Sequence, residues 1–565
     1  MFRLGKSDKD PLVDVKSAAR WLASMPPSDP LALQIALVAH LGRLAAVDAR
    51  RTPAGLEAVF FVDTQAHAIR KALATQYVTH ARRSPMVEAQ LWRALFDLTQ
   101  AFLACYSAYG REVAAHVQDG RWQSLLPELM GRQLVHLGLD ARARLYHCEA
   151  WIPGRWAEFY ALFALACAQQ VERRPLLLDP HAGPTTIEHE FIVTLVLERM
   201  NPGNLGAEQV EWLATQLQNW CRPLRLALES AAPATFYIDL ASREGLRRRD
   251  TGPLEGRVLF LDTRSLHAVL RQNIVSLEQK IRDEPLASDA ARDHERLAMF
   301  TKLAARIDPE FRPLPRRGNR VAAKGTVDAV VGFAKICACM HDETLSLLNQ
   351  DAGKSFSGAM ELAVFGQSRR DAARLYRDGE RRLTTYLAAG GPWEVKDVSA
   401  TGFRVVAPAV GSNAVGLGTL VALRLHDQDR WILCIVRRMT RRTTERAEIG
   451  LEIIANTLVG VELAEQRKFA DPGYSVDGEP AMLNGRVFRG LLLAIATRPG
   501  GSEVQSVVIP AVEYHPARRF RLKTPRTVFS VRFGRQLDAQ ADWTWAAIES
   551  LERSEAPDDL AAPIG

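Results

Sequence analysis

The 565-residue chain reads as an α+β, multidomain protein: a long N-terminal all-α helical array, then a small antiparallel β-barrel and a second small β-domain. Three observations predict this. From about residue 12 to 230, apolar residues recur at three- and four-residue spacing, the mark of amphipathic helices. A proline- and arginine-rich stretch, "RPLPRRGNR", then breaks the pattern at residues 312 to 320. From Trp393 onward the sequence turns into short alternating runs at regular spacing with turn residues between, as in small barrels.

Taken in order, "DPLALQIALVAHLGRLAAV", "MVEAQLWRALFDLTQAFLACYSAYGREVAAHV" and "GRWAEFYALFALACAQQVERRP" each carry a broad apolar helical face. No fixed period recurs, so no repeat family is implied. In "HAGPTTIEHEF", Glu188, His189 and Glu190 are consecutive and point to different helix faces, which excludes a shared ion. The helical array is assigned to residues 1–230. Residues 231–311 are expected to hold a small β-hairpin, from "TFYIDL" and "GRVLFLDT", and one charged helix over about 265 to 306. The barrel is assigned to 312–465, with a helical insertion at about 335–390. The second β-domain and the C-terminal tail take 466–565.

Composition narrows the function classes. Hydrophobic residues at 47% and charged residues at 24% are globular values, so disorder is not the theme. The apolar runs are too short to span a bilayer, and the N-terminus lacks the apolar core of a secretory signal, so a soluble, cytoplasmic protein is expected. Seven cysteines do not form a disulfide framework. The densest group, Cys337, Cys339 and His341, lacks zinc-knuckle spacing and a second ligand pair, and reads as core cysteines on a helix. No Gly-rich phosphate loop, nucleophile elbow or metal signature is present, so no enzyme and no metal are expected. A net charge of +7 favours an anionic partner. The arginines concentrate in "RPLPRRGNR" and in "RWILCIVRRMTRRTTER", residues 430 to 446.

The stretch "PWEVKDVSATGFRVVAP", residues 392 to 408, places Asp397, Ser399 and Gly402 at a turn between two strands. Those residues satisfy DxSxxG, and Arg316–Arg320, with Arg317 beside the first, satisfies RxxxR just before the strand-like "RVAAKGTVDAVV". This pair of elements resembles the PilZ domain, a six-stranded barrel that receives cyclic di-GMP, over residues 312 to 460. The resemblance implies that Arg316, Arg317, Arg320, Asp397, Ser399 and Gly402 bind cyclic di-GMP. It implies a non-enzymatic bacterial signalling effector that relays the signal to a protein partner through the helical region. The chemistry suits the ligand. Arginine forks grip phosphates or the O6/N7 edge of guanine, and a carboxylate accepts from guanine N–H groups. Serine adds a hydroxyl, and glycine allows close backbone approach. One departure from the family is the insertion between the two elements, tolerable if its ends stay close. Further RxxxR copies at Arg370–Arg374 and Arg377–Arg381 lie on that insertion and read as surface charge. An alternative keeps Asp397 and Ser399 as an Asx-type turn and makes the barrel a degenerate scaffold for RNA or a protein, with steep salt dependence if the partner is RNA.

Overall fold

The computed structural model describes residues 11–25, 29–47, 51–80, 85–179, 182–201, 203–228, 236–249, 256–284, 290–310, 321–343, 386–388, 391–408, 415–425, 431–441, 446–466, 487–497, 503–516, 518–524 and 527–555. The chain divides into two compact units, Met1–Pro315 and Arg316–Gly565. The architecture is α+β and multidomain, as the sequence predicts.

The first unit opens with eight helices: α1 Val15–Ala23, α2 Pro30–Ala46, α3 Pro53–His80, α4 Pro85–Ala115, α5 Gly120–Tyr146, α6 Pro153–Ala168, α7 Ile187–Met200 and α8 Ala207–Trp220. Their starts are written in the sequence. Proline, whose missing N–H costs nothing in the first turn, begins α2 and α6, and aspartate or threonine side chains cap others. Asp14 accepts from the Ser17 N–H at 2.7 Å and Thr186 from the His189 N–H at 3.1 Å. α5 touches α3, α4, α6, α7 and α8, so the helices surround one shared core rather than stacking in a row.

Residues 226–261 add four short strands: β1 Leu226–Ala227, β2 Phe236–Asp239, β3 Arg247–Arg248 and β4 Val258–Leu261. They form one sheet in the order β1-β4-β2-β3. The expected pairing of "TFYIDL" with "GRVLFLDT" is the central ladder, Tyr237 opposite Phe260. Where one charged helix was expected there are two, α9 Arg264–Asp283 and α10 Ala290–Ile307. Pro285 explains the break, since it cannot continue α9. Phe236, Leu270 and Phe300 join the helical core, so this segment packs as part of the first unit.

The second unit holds two closed six-stranded barrels. The first contains β5 Val321–Val331, β6 Trp393–Ser399, β7 Gly402–Pro408, β8 Leu420–Leu425, β9 Trp431–Arg441 and β10 Arg446–Ala455, closed in the order β10-β7-β6-β5-β8-β9. The second contains β11 Leu458–Gln466, β12 Val487–Thr497, β13 Glu503–Pro510, β14 Arg519–Lys523, β15 Thr527–Ala539 and β16 Trp543–Glu555. It begins at Leu458, ahead of the boundary expected near 465, because a two-residue link suffices to pass from β10 into β11.

After β5 the chain forms a helix, α11, over 333–343. Its Phe333, Ile336, Cys337, Cys339 and Met340 are buried in a cluster with Leu433 of the first barrel and Leu491 and Trp543 of the second. The two cysteines of the "CACMH" group are therefore core residues, as their spacing suggests. The helical block within the expected insertion lies mostly outside the described residues, but both ends are seen. Tyr386 donates to the Asp342 carboxylate at 2.5 Å, and the Ala388 N–H donates to the Ala329 carbonyl at 2.7 Å. The ends meet beside the barrel. Among the described residues, no helix is long and apolar enough to cross a membrane.

Candidate functional site

The turn at 399–402 links β6 to β7, and strand alternation decides what faces outward. In β7, Phe403, Val405 and Ala407 point into the barrel, while Arg404 points out. A register irregularity between Val395 and Asp397 turns the latter onto the same outer face, directly opposite Arg404. The Arg404 Nε lies 2.6 Å from Asp397 Oδ2, and its Nη1 donates to Glu448 Oε1 at 3.3 Å. Asp397 is nearly buried, with 7% of its surface exposed, so its carboxylate is held rather than freely rotating.

The strand registers extend this pair into a row. Ala322 of β5 faces Asp397, Arg404 faces Gly450 of β10, and Gly450 faces Arg438 of β9. Gly450 leaves a bare floor between two outward arginines, with a carboxylate at one end. Such a strip offers guanidinium forks for an anion, a flat peptide surface for a planar ring, and an acceptor for N–H donors.

The other two motif residues have identifiable local tasks. The Ser399 hydroxyl donates to the Gly402 carbonyl at 3.2 Å, tightening the turn. At Gly402 a Cβ would lie 2.1 Å from the Leu451 carbonyl oxygen, so only glycine lets β7 and β10 close there. The structure thus brings Asp397, Ser399 and Gly402 together. Arg316, Arg317 and Arg320 lie outside the described residues, as do Arg370, Arg374, Arg377 and Arg381. Val321, the next residue after Arg320 in the sequence, pairs with Val398, one position before Ser399.

The second arginine-rich stretch is divided in its duties. Arg437 reaches Glu452 and Asp538, each at 2.6 Å, and so ties the first barrel to the second. Arg446 lies 3.7 Å from Glu394, which also holds Lys396 at 2.6 Å. Arg438 stands on the row described above. The sequence singled out neither Arg404 nor Gly450, and marked Arg438 only as one of the arginines of the basic stretch at 430–446. Arg404 carried a signal, as the lone charge in an alternating apolar strand two residues past Gly402. Gly450 and Arg438 join the site only through barrel closure.

The helical unit holds a buried polar centre that no motif announced. Asp63 of α3 accepts from Arg70 at 2.8 Å, the Tyr106 hydroxyl at 2.8 Å, Arg132 at 3.1 Å and His136 Nε2 at 2.9 Å. Burial alone would raise the Asp63 carboxyl; His136, Arg70 and Arg132 outweigh it and hold the group well below the usual carboxylate range. Burial lowers His136, and its Nδ1 has no hydrogen-bond partner, which fits a neutral ring donating from Nε2.

Residues 16–232 match the family described as "Cyclic-di-GMP receptor FimW, N-terminal domain". The match falls on the helical unit, α1 to α8, and covers less than half of the chain. The PilZ resemblance concerns the C-terminal third, outside the residues that this family matches. Helical families are defined by apolar positions spread over many turns, which one sequence does not reveal, whereas DxSxxG is compact enough to read directly. The two six-stranded barrels are consistent with PilZ-like folds. No curated protein matches the chain.

Proposed function

We propose that this chain is a non-enzymatic bacterial receptor for cyclic di-GMP, acting in the cytoplasm. The first barrel is PilZ-like and takes the dinucleotide on the row of Asp397, Arg404, Gly450 and Arg438. Arg316, Arg317 and Arg320 grip its phosphates and guanine edges, and Ser399 and Gly402 shape the turn beneath. The helical unit passes occupancy to a protein partner. The observation that carries this reading is the register of β5 against β6, Val321 opposite Val398, because it starts the strand that follows the RxxxR element beside the DxSxxG turn. The description of the family matched by the helical unit, a cyclic-di-GMP receptor, supports the same ligand.

Binding of this kind needs no general base. A micromolar complex corresponds to about −8 kcal/mol, and each charge-assisted contact contributes roughly 1.5–3 kcal/mol. Calorimetric titration of the full chain with cyclic di-GMP tests the reading. Arg320→Ala and Asp397→Ala are each expected to weaken binding by about one to two orders of magnitude. Arg441→Ala is expected to leave it unchanged. Absence of heat with the wild-type protein would end the proposal.

A second reading rests on the local tasks of Ser399 and Gly402, which a bare structural turn would also require. In it the barrel is a scaffold for RNA or a protein. RNA binding with a steep salt slope and no response to cyclic di-GMP would favour it.

A further inference from the structure

Strand alternation alone would send Arg438 into the first barrel. In β9, Val436 and Met439 are buried, and both residues between them, Arg437 and Arg438, are exposed. The pairing with β10 shows how. Gly450 faces Arg438 and Leu451 faces Val436, so Arg437 is an extra residue bulged out of the ladder. A bulge of this kind re-aims the side chain beside it. Here it turns Arg438 onto the row with Gly450 and Arg404. Among the described residues Arg438 makes no ion pair there, so its guanidinium is open to a ligand.

A line of contacts runs from the DxSxxG turn through Arg437 to the second barrel. Gly402 of that turn is the cross-strand partner of Glu452. Glu452 Oε2 lies 2.6 Å from the Arg437 Nε, and Asp538 Oδ2, on β15, lies 2.6 Å from its Nη2. The joint has a second fastening at the foot of the bulge. The Val436 N–H donates to the Thr419 carbonyl at 3.0 Å, and the Gly418 N–H donates to the Val436 carbonyl at 2.8 Å. A Cβ on Gly418 would run into the side chain of Gln540, two residues past Asp538. The second barrel therefore clasps β9 at the point where Arg438 turns toward the row.

We infer that Arg437 is a positioning residue. Anchored on Asp538, it fixes the bulge and with it the aim of Arg438, so the second barrel sets how tightly the first holds an anionic dinucleotide. This rests on the first barrel being the cyclic di-GMP site. Coupling between distant groups needs an element with two arrangements that both groups bias. The bulge is that element: Arg438 lies on the row with the clasp made, and turns from it with the clasp broken. By linkage, a ligand held by Arg438 tightens the joint between the barrels by the same factor.

Asp538→Asn in the full chain tests this. Asparagine keeps an Oδ1 for the Ala539 N–H, now accepted at 2.8 Å, and removes only the charge facing Arg437. Calorimetry with cyclic di-GMP is expected to show binding weakened about three- to fivefold, the range of a part-exposed ion pair. The sign is diagnostic, because deleting a negative charge would by itself favour an anion. Glu549→Gln breaks the exposed 2.6 Å pair with Arg532 on the same barrel, and is expected to leave affinity unchanged. In an Arg438→Ala background, Asp538→Asn is expected to cost nothing further, since it acts through that arginine. Unchanged or tighter binding by Asp538→Asn, or the same loss with and without Arg438, would overturn the inference. Hydrogen exchange without ligand gives a separate reading. The Val436 and Gly418 amides are expected to exchange faster in Asp538→Asn, and unchanged rates would remove the anchor. If wild-type protein gives no heat with cyclic di-GMP while those rates rise, the anchor stands and the barrel's ligand is what fails.

Discussion

At Gly402 the backbones of β7 and β10 approach so closely that an added methyl group would meet the Leu451 carbonyl oxygen at 2.1 Å. Carbonyl oxygens in a closed barrel have little room to yield, so Gly402→Ala is expected to cost about 1–3 kcal/mol. A lowered urea midpoint for the second unit checks this. The Asp397–Arg404 pair is worth less than its 2.6 Å separation suggests, because 43% of the Arg404 side chain is exposed. A double-mutant cycle of Asp397→Asn and Arg404→Gln is expected to give a coupling of about 0.5–1 kcal/mol. Glu198 behaves oppositely to most carboxylates. Burial pushes it up from 4.5 to about 6, so the folded chain binds a proton more readily than the unfolded chain. Its contribution is favourable in acid and is lost as pH rises through about 6. Glu198→Gln is therefore expected to stabilise the protein by about 1–2 kcal/mol at neutral pH and to change nothing in acid. Urea denaturation under both conditions decides it.

Among the elements, α3, α4 and α5 are joined by Asp63, Tyr106, Arg132 and His136 as well as by apolar contact. Asp63→Asn would leave Arg70 without its carboxylate and Arg132 with Glu128 alone, and is expected to cost about 3–5 kcal/mol in chemical denaturation. The same centre sets an acid limit. His136 is lowered from 6.5, so the unfolded chain takes up its proton first and stability falls as pH drops below that value. Asp63, also lowered, contributes stability above 3.8 that is lost further into acid. In a Glu198→Gln background, which removes the opposing slope, His136→Gln is expected to flatten the upper part of this decline. None of this was legible in the sequence. Asp63 sits in "VFFVDTQAHAIR", where it reads as one polar position on an amphipathic helix, and its partners lie up to 73 residues away. The helices themselves were legible because their apolar spacing is local, as was β7, whose alternation in "GFRVVAP" needs no distant partner. The candidate site was half legible. Asp397, Ser399 and Gly402 form a compact pattern, but Gly450 and Arg438 become neighbours of Arg404 only when the barrel closes.

For the whole molecule, the division at Pro315 separates two cores, one of helices with a small sheet and one of paired barrels. Residues 1–315 and 316–565 produced separately are each expected to unfold cooperatively, and cyclic di-GMP is expected to raise the melting temperature of the second alone. A shift in the first piece with none in the second would move the ligand to the helical unit. The family match came from that unit, where sequence reading found only a helical texture, so the recognisable fold and the recognisable motif lie in different halves of the chain.

The contact between Asp342 and Tyr386 has an engineering consequence. It holds the residues on either side of 344–385 together next to the barrel. Swapping residues 345–384 for a short Gly/Ser tether is expected to change stability by only about 1–2 kcal/mol, since closure entropy shifts by about 0.6 kcal/mol per doubling of length. The same point is then a docking port for a fluorescent reporter, which would sense the barrel without being threaded through it.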